Sequence, residues 1–251
     1  MTINNDKVAL VTGSAKRIGA AIIRQFHQQG YRVLIHCRHS KDEAERLAAS
    51  LNLTRADSAQ VLQMDLSSSE GPLDLARHAL ACWGRVDCLV NNASSFYPTP
   101  IGQIDDQHWQ QLVGSNMRAP LLLAQALAPT LTQHHGSIIN LIDVHGDSPL
   151  KNHTLYCMAK AALAMMTKSL ALELAPKVRV NGVSPGAILW PEQAISAEKQ
   201  QALLAEVPLG RLGELDDIAK TVLFLAVDAP YISGQIIAVD GGRSLGALTG
   251  A

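Results

Sequence analysis

Val8-Ala9-Leu10-Val11-Thr12-Gly13-Ser14-Ala15-Lys16-Arg17-Ile18-Gly19 is the stretch that decides the architecture of this chain. Residues 7–11 are a compact apolar run of strand character. The glycine-containing turn that follows leads into residues 18–29, whose apolar spacing is helical and which stop at Gly30, a natural residue just past a helix end. A strand that passes through such a turn into a helix brings backbone N–H groups and a helix N-terminus to one point. That point is where a doubly wound α/β sheet receives a phosphate.

The same alternation continues along the chain. Further strand-like runs cover residues 31–36, 60–64, 86–90, 136–142, 178–183 and 235–239. Helical patterns cover 41–51 (with Ser40 as a cap), 73–82, 106–132, 155–174, 192–205 and 214–227. Nearly continuous apolar strands joined by helices specify a parallel sheet covered on both faces. Right-handed crossovers then select a Rossmann-type, doubly wound α/β fold of about seven strands. We expect a single domain over residues 1–251, with 186–210 as a candidate substrate lid.

Composition narrows the function. Of the 251 residues 47% are hydrophobic and 17% charged, a globular balance that argues against disorder. A net charge of −1 gives no footprint for nucleic acid or an anionic membrane, so no partner of either kind is expected. Cys37, Cys82, Cys88 and Cys157 form no C-x-x-C pair and read as small buried hydrophobes of a reducing compartment. No basic region followed by a long apolar stretch opens the sequence, and the apolar run 121–127 is too short to span a bilayer. These features read as a soluble, cytoplasmic chain. H-E-x-x-H and carboxylate clusters are missing, so no catalytic metal is expected; His134 and His135 read as a polar loop.

Gly13, Arg17 and Ile18 of the first turn are candidate cofactor contacts, Arg17 through charge-assisted bonds to a pyrophosphate. The second strand ends in His36-Cys37-Arg38-His39-Ser40, with no acid before Asp42. An acid there would hold a ribose 2′-hydroxyl, whereas Arg38, His39 and Ser40 suit a 2′-phosphate. The expected cofactor is therefore NADPH rather than NADH. Asp65, followed by Leu66, either accepts from an adenine amino group or caps a helix.

Tyr156 and Lys160 lie four residues apart on one helix face. A free tyrosine has a pKa of about 10, and a nearby ammonium brings it towards the working range of a proton relay. Asn91-Asn92-Ala93 follows the fourth strand, and Asn116 sits inside the next helix.

With these motifs assembled, the chain resembles the short-chain dehydrogenase/reductase family from the turn 12–19, through Asn91–Ala93, Asn116, Tyr156, Lys160 and Pro185-Gly186, to Asp240-Gly241-Gly242. The resemblance implies a seven-stranded sheet, hydride transfer from a nicotinamide, a homotetramer, and a catalytic set to which Asn116, Tyr156 and Lys160 correspond. It adds Asn92, Ala93, Ser94, Pro185 and Gly186 to the cofactor contacts. One position departs: Asp143 stands thirteen residues before Tyr156, where the family usually has serine. An ionised aspartate cannot donate to a carbonyl oxygen. It can accept from ring N–H or amino groups, or, with a raised pKa, protonate a ring nitrogen.

The T-G-x-x-x-R-x-G turn, Asn92-Ala93-Ser94-Ser95-Phe96-Tyr97-Pro98, Asp143 and the segment Ser184-Pro185-Gly186-Ala187-Ile188-Leu189-Trp190-Pro191 resemble pteridine reductases, including the bacterial dihydromonapterin reductase type. That resemblance implies that Phe96 stacks on a pterin, that Ser94 meets cofactor phosphate and substrate, and that Arg17 reaches the ligand. Phe96 has the alternative of anchoring its loop on the core, and Trp190 of packing rather than closing the pocket. The family's second strand often ends in His-x-His-Arg-Ser; here Arg38 and His39 are exchanged. The leading expectation is reduction of a dihydropterin or oxidised pterin, with dihydrofolate as a side substrate. The rivals are a ketone, quinone or ketoacyl reductase, and a non-catalytic NADP-binding regulator.

Overall fold

In the computed structural model, residues 7–188 and 196–246 are described. Seven strands, β1 (Val8–Val11), β2 (Arg32–Cys37), β3 (Ala59–Gln63), β4 (Cys88–Asn91), β5 (Ser137–Leu141), β6 (Arg179–Pro185) and β7 (Ile236–Val239), form one sheet. The order is β3-β2-β1-β4-β5-β6-β7 and every pairing is parallel. The helices are α1 (Arg17–Gln28), α2 (Lys41–Thr54), α3 (Gly71–Trp83), α4 (Asp106–Val113), α5 (Ala119–Gln133), α6 (Thr154–Glu173), α7 (Ala197–Ala205) and α8 (Leu215–Leu223).

The central strands are largely apolar because they are buried on both faces, whereas the edge strands β3 and β7 are only partly buried. Ala9, Val11, Val33, Ile35 and Val90 point into one core with Ile22, Ile23 and Phe26 of α1, Leu47 and Leu51 of α2, and Ile218 and Val222 of α8. Their neighbours Val8, Leu10, Leu34 and Leu89 point into the other, against Leu75 of α3 and Leu123, Leu127 and Leu131 of α5. This alternation is the two-residue period of a strand, with a hydrophobic layer on each side. Full burial of a side chain such as Phe26 or Leu10 stabilises the fold by about 1.5–3 kcal/mol each.

Two expected helices are interrupted. The stretch 106–132 is α4 and α5 separated by a widened π-type turn, Gly114–Arg118. Within it the Asn116 amide donates to the Leu112 carbonyl at 3.0 Å, and Arg118 reaches out to the carbonyls of Ser67 and Ser68. Polar side chains engaging the helix backbone in this way mark such turns, which cluster at functional sites. The stretch 214–227 likewise ends α8 at Leu223 and continues as a π-type turn, Phe224–Asp228. Its carbonyls, at Leu225, Ala226 and Ala229, are gathered by Arg179. Of the expected helix 192–205 the described part is α7, and Trp190 lies outside the described residues. Helix α6 is long and apolar enough by composition to cross a membrane, but here it packs on β6 and carries Tyr156 and Lys160.

Candidate active site

The sheet reverses its winding between β1 and β4, and a groove of about 420 Å³ opens at their C-terminal ends. Crevices at such a reversal are the ligand sites of open α/β sheets. Its wall includes Gly13, Arg17, Ile18, His36, Arg38, Asp65, Leu66, Asn92, Ala93 and Ser94, all singled out in the sequence. Lys16, Ser67, Ser95 and Ser115 also line it and were not anticipated.

The turn after β1 is tied to the end of β4. The Thr12 hydroxyl accepts from the amides of Asn92 and Ala93, each at 2.9 Å, and the Asn92 side chain donates to the carbonyls of Thr12 and Gly13 at 2.8 and 2.9 Å. Gly13 has φ +61°, and a Cβ there would lie 2.8 Å from the Ala93 Cα. Only glycine allows both the left-handed turn and that approach. Arg17 also has a left-handed φ, +51°, although it is not glycine. Asn91, by contrast, is buried in the sheet, where it donates to Asn140 at 2.8 Å.

His36 braces the turn after β1 from the end of β2. Its Nδ1 accepts from the Gly13 amide at 2.9 Å and its Nε2 lies 3.1 Å from the Met64 carbonyl, to which it must donate. Burial pushes its pKa down to about 4, against the opposing bond to Met64 and the charge of Asp65. It is therefore a neutral strut that holds the turn, with both ring nitrogens committed inside the protein.

Arg38 pairs with Asp65 at 2.9 Å, and both are partly exposed. Burial raises the Asp65 pKa, but the Ser67 hydroxyl and amide, together with Arg38, outweigh it and hold the carboxyl below its ordinary value. Asp65 also accepts from Ser67 at 2.9 and 2.7 Å, closing the turn before α3. Beside this pair, Lys16, Arg38, His39 and Ser40 share a second cavity of about 220 Å³. The Ser40 hydroxyl makes no capping bond to α2, because its backbone (φ −87°, ψ +54°) is not in the extended conformation of a capping serine. These groups fit a ribose 2′-phosphate: cations and a hydroxyl around one small cavity, adjoining the phosphate turn.

Pro185 and Gly186 sit where β6 leaves the sheet. A Cβ on Gly186 would lie 2.6 Å from the Asp240 Cβ, so the glycine lets the end of β6 approach the end of β7.

The candidate chemical centre is where α6, β5 and the loop after β4 converge. The Tyr156 hydroxyl donates to Asp143 Oδ2 at 2.7 Å, and Asp143 Oδ1 accepts from the His145 amide at 2.8 Å. Lys160 donates to the Leu141 carbonyl at 2.8 Å, and its Nζ lies 5.7 Å from the centre of the Tyr156 ring. Burial pushes the Lys160 ammonium down to about 8, against the pull of Asp143. The expectation that Lys160 lowers the phenol pKa is overturned in this geometry. Burial, then the charge and hydrogen bond of Asp143, drive the Tyr156 pKa well above 10, and the Ser94 hydroxyl opposes them only in part. Tyr156 is thus held as a protonated phenol, the form a proton donor needs.

Asn116 is tied by its side chain to the loop after β4. Its side-chain amide donates to the Ser95 carbonyl at 2.9 Å, and its Oδ1 accepts from Ser94 at 2.7 Å. Phe96 borders the centre and is half exposed, with its edge against Tyr156 at 4.8 Å between ring centres. One face of Phe96 is stacked on His153 at 4.7 Å and 14°. His153 was not singled out in the sequence; its place three residues before Tyr156, at the N-terminal boundary of α6, was the available signal. His145 turns towards the Ser148 carbonyl and lines a separate cavity with Glu206 and Arg243. Among the described residues no cluster of three or more His, Cys, Asp or Glu side chains is placed to hold a metal.

A parallel sheet with a phosphate groove at its reversal, beside a Tyr–Lys pair on one helix, defines a nicotinamide-dependent oxidoreductase. A family model described as enoyl-(acyl carrier protein) reductase matches residues 13–244. The chain belongs to the short-chain dehydrogenase/reductase family, whose members bind NAD(P)H. It is 39% identical to pteridine reductase 1 of Leishmania tarentolae, over 95% of this chain and 96% of that one. It is 34% identical to a 3-oxoacyl-(acyl-carrier-protein) reductase of Staphylococcus epidermidis, over 94% and 98%. A Staphylococcus aureus reductase of the same description is 35% identical over 94% and 97%.

Proposed function

We propose that this protein is an NADPH-dependent pteridine reductase, which reduces a dihydropterin or an oxidised pterin at a ring C=N bond. The observation that carries the reading is the 2.7 Å hydrogen bond from Tyr156 to Asp143. A carboxylate beside the proton donor suits a nitrogen heterocycle. It accepts from the ring N–H and amino groups, while the phenol protonates the adjacent ring nitrogen. A ketone offers no such donors, and its carbonyl oxygen would be repelled by the carboxylate.

The chain's own groups then divide the work. Gly13, Ile18, Asn92, Ala93 and the Arg17 cation hold the pyrophosphate side of the cofactor, while Lys16, Arg38, His39 and Ser40 select the 2′-phosphate. Asp65 and Leu66 border the adenosine end, with Pro185 and Gly186 at the nicotinamide end. The bound reduced nicotinamide supplies the hydride. Lys160 fixes the ribose beside it, Phe96 offers a plate for the flat substrate ring, and Ser94 and Arg17 meet the ring's polar edge. The same reading takes residues 1–251 as one cytoplasmic reductase domain acting as a homotetramer.

The similarity to 3-oxoacyl-(acyl-carrier-protein) reductases sets the rival, a carbonyl reductase. An NADPH oxidation panel of dihydrobiopterin, dihydromonapterin, biopterin, dihydrofolate, quinones and 3-ketoacyl thioesters decides between them. Turnover of the pterins well above the carbonyl compounds supports the reading; efficient ketone turnover with inert pterins overturns it.

A further inference from the structure

Phe96 lies in the loop between β4 and α4, and its neighbours there are fixed. The Ser95 carbonyl accepts from the Asn116 side-chain amide at 2.9 Å, and the Tyr97 hydroxyl donates to Gln111 of α4 at 2.8 Å. Tyr97 also packs on the small apolar cluster of Leu112, Leu155 and Tyr156, so Tyr97 anchors the loop. The Phe96 side chain is instead half exposed. An exposed side chain exchanges rotamers within nanoseconds unless its neighbours hold it. Two rings hold this one. Tyr156 meets it edge-on, at 4.8 Å and 75°, and His153 lies flat against one face, at 4.7 Å and 14°. An edge contact alone leaves the ring free to pivot, whereas the parallel imidazole sets its plane.

The imidazole is itself fixed. Its Nδ1 lies 2.8 Å from the Lys151 carbonyl, which can only accept, so Nδ1 carries the hydrogen. The His153 amide donates to the Leu150 carbonyl at 3.1 Å, and the His153 carbonyl accepts from the Cys157 amide at 2.9 Å, in the first turn of α6. That turn also carries Tyr156. A second tie runs beside the stack: the Thr99 amide donates to the Asn152 carbonyl at 2.6 Å, joining the Phe96 loop to the residue before His153. The plane of Phe96 and the place of the phenol are therefore set by one element, the start of α6.

We propose that His153 is a positioning residue: its imidazole backs one face of Phe96, fixes the plane of that ring beside Tyr156, and leaves the opposite face to a flat heterocycle. The role rests on the pteridine reading, in which Phe96 is the plate for the substrate. A ring held in place before the substrate arrives needs no ordering on binding, and such preorganisation raises affinity. Without the imidazole, the bound substrate has to order Phe96 itself. The loss then falls on binding rather than on the chemical step. The role calls for a flat ring at position 153 and not for an acid or a base, which separates it from any part in proton transfer.

The test compares the full-length protein with His153→Leu, which has bulk but no flat ring, and His153→Tyr, which keeps one. His153 makes no side-chain capping bond to α6, so neither change removes a cap. Melting curves verify folding, and His153→Ala replaces the leucine variant if that one does not fold. In steady-state assays with the best pterin of the panel and saturating NADPH, His153→Leu should raise KM by about three- to tenfold, the scale of one aromatic stack. Its kcat should stay within about twofold of the parent, and His153→Tyr should restore most of the loss in KM. Fluorine NMR reads the ring directly. With 4-fluorophenylalanine at the three phenylalanines, the Phe96 signal is assigned by its loss in Phe96→Leu. It should move towards that of the free amino acid in His153→Leu and stay near the parent position in His153→Tyr. An unmoved signal in His153→Leu, a KM that is unchanged or lower, a fall in kcat at constant KM, or a tyrosine variant no better than leucine overturns the proposal, while turnover of pterins by the parent keeps the pteridine reading. Pterins that are inert with the parent remove that reading and the role of His153 with it.

Discussion

Tyr156 and Asp143, thirteen residues apart in sequence, are joined by a 2.7 Å hydrogen bond that Tyr156 donates, and burial together with the Asp143 carboxylate raises the phenol pKa. Replacing Tyr156 by phenylalanine removes the proposed proton donor and leaves the packing nearly intact. Turnover should fall by about 10²–10⁴-fold, with NADPH affinity little changed because the groove at β1 and β4 is untouched. Rapid-mixing kinetics and a binding titration check both halves. Near-normal turnover would place the proton donor elsewhere.

Asp143→Ser separates substrate class from chemistry. The serine restores a hydroxyl that can donate to a carbonyl oxygen and removes the acceptor for ring N–H groups. Pterin turnover should drop by at least about tenfold, the scale of one lost hydrogen bond to a charged group, while activity on a small ketone rises. If pterin and ketone rates change by the same factor, Asp143 does not choose the substrate.

Arg17 stands in the left-handed region at φ +51°, where a non-glycine residue costs about 1 kcal/mol or more. Arg17→Gly relieves that strain but adds flexibility to the unfolded chain, a cost of similar size. The melting temperature should therefore move by no more than about 3 °C. NADPH affinity should fall because a cation leaves the wall of the groove. A large loss of stability with unchanged affinity would make Arg17 a structural residue.

Much of this was legible in the chain because strands buried on both faces must be apolar, and because a phosphate turn needs Gly13 at a fixed place. Tyr156 and Lys160 were legible from their spacing on one helix, and Asp143 only through the family resemblance, which places it where a serine is usual. What the sequence hid depends on long-range pairing. The bonds of His36 to Gly13 and Met64, which use both its ring nitrogens, join three separate strand ends and leave no mark in the local sequence. The Phe96–His153 stack joins loops 57 positions apart, and the Ser94–Asn116 bond depends on a π-type turn that leaves no simple periodic trace. The direction of the Tyr156 pKa was also hidden, since it is set by a carboxylate that only the fold brings into contact.

His36 ties stability to pH. Its pKa falls from 6.5 unfolded to about 4 folded, so the unfolded chain binds the extra proton first as the pH drops. The stabilisation linked to this group is complete above pH 6.5 and is lost as the pH falls through the window down to about 4. The full effect is on the order of 3 kcal/mol. Denaturant midpoints at pH 7 and pH 4.5 should differ more for the parent than for His36→Asn, which does not titrate. Equal differences would mean that His36 does not carry the linkage.

Arg38 should discriminate between the two nicotinamide dinucleotides. It lines both the main groove and the smaller cavity shared with Lys16, His39 and Ser40, and Asp65 holds its guanidinium in place. Arg38→Ala should weaken NADPH by about tenfold or more, the scale of a charge-assisted bond, and NADH much less, because only NADPH carries the 2′-phosphate. Equal losses for both nucleotides would reject the assignment. Asp65→Asn sharpens the reading. It removes the competing carboxylate, so NADPH should bind at least as tightly as to the parent, provided Arg38 keeps its position. If NADPH weakens instead, Asp65 contributes chiefly by orienting Arg38, and the pair acts as one unit at the 2′-phosphate.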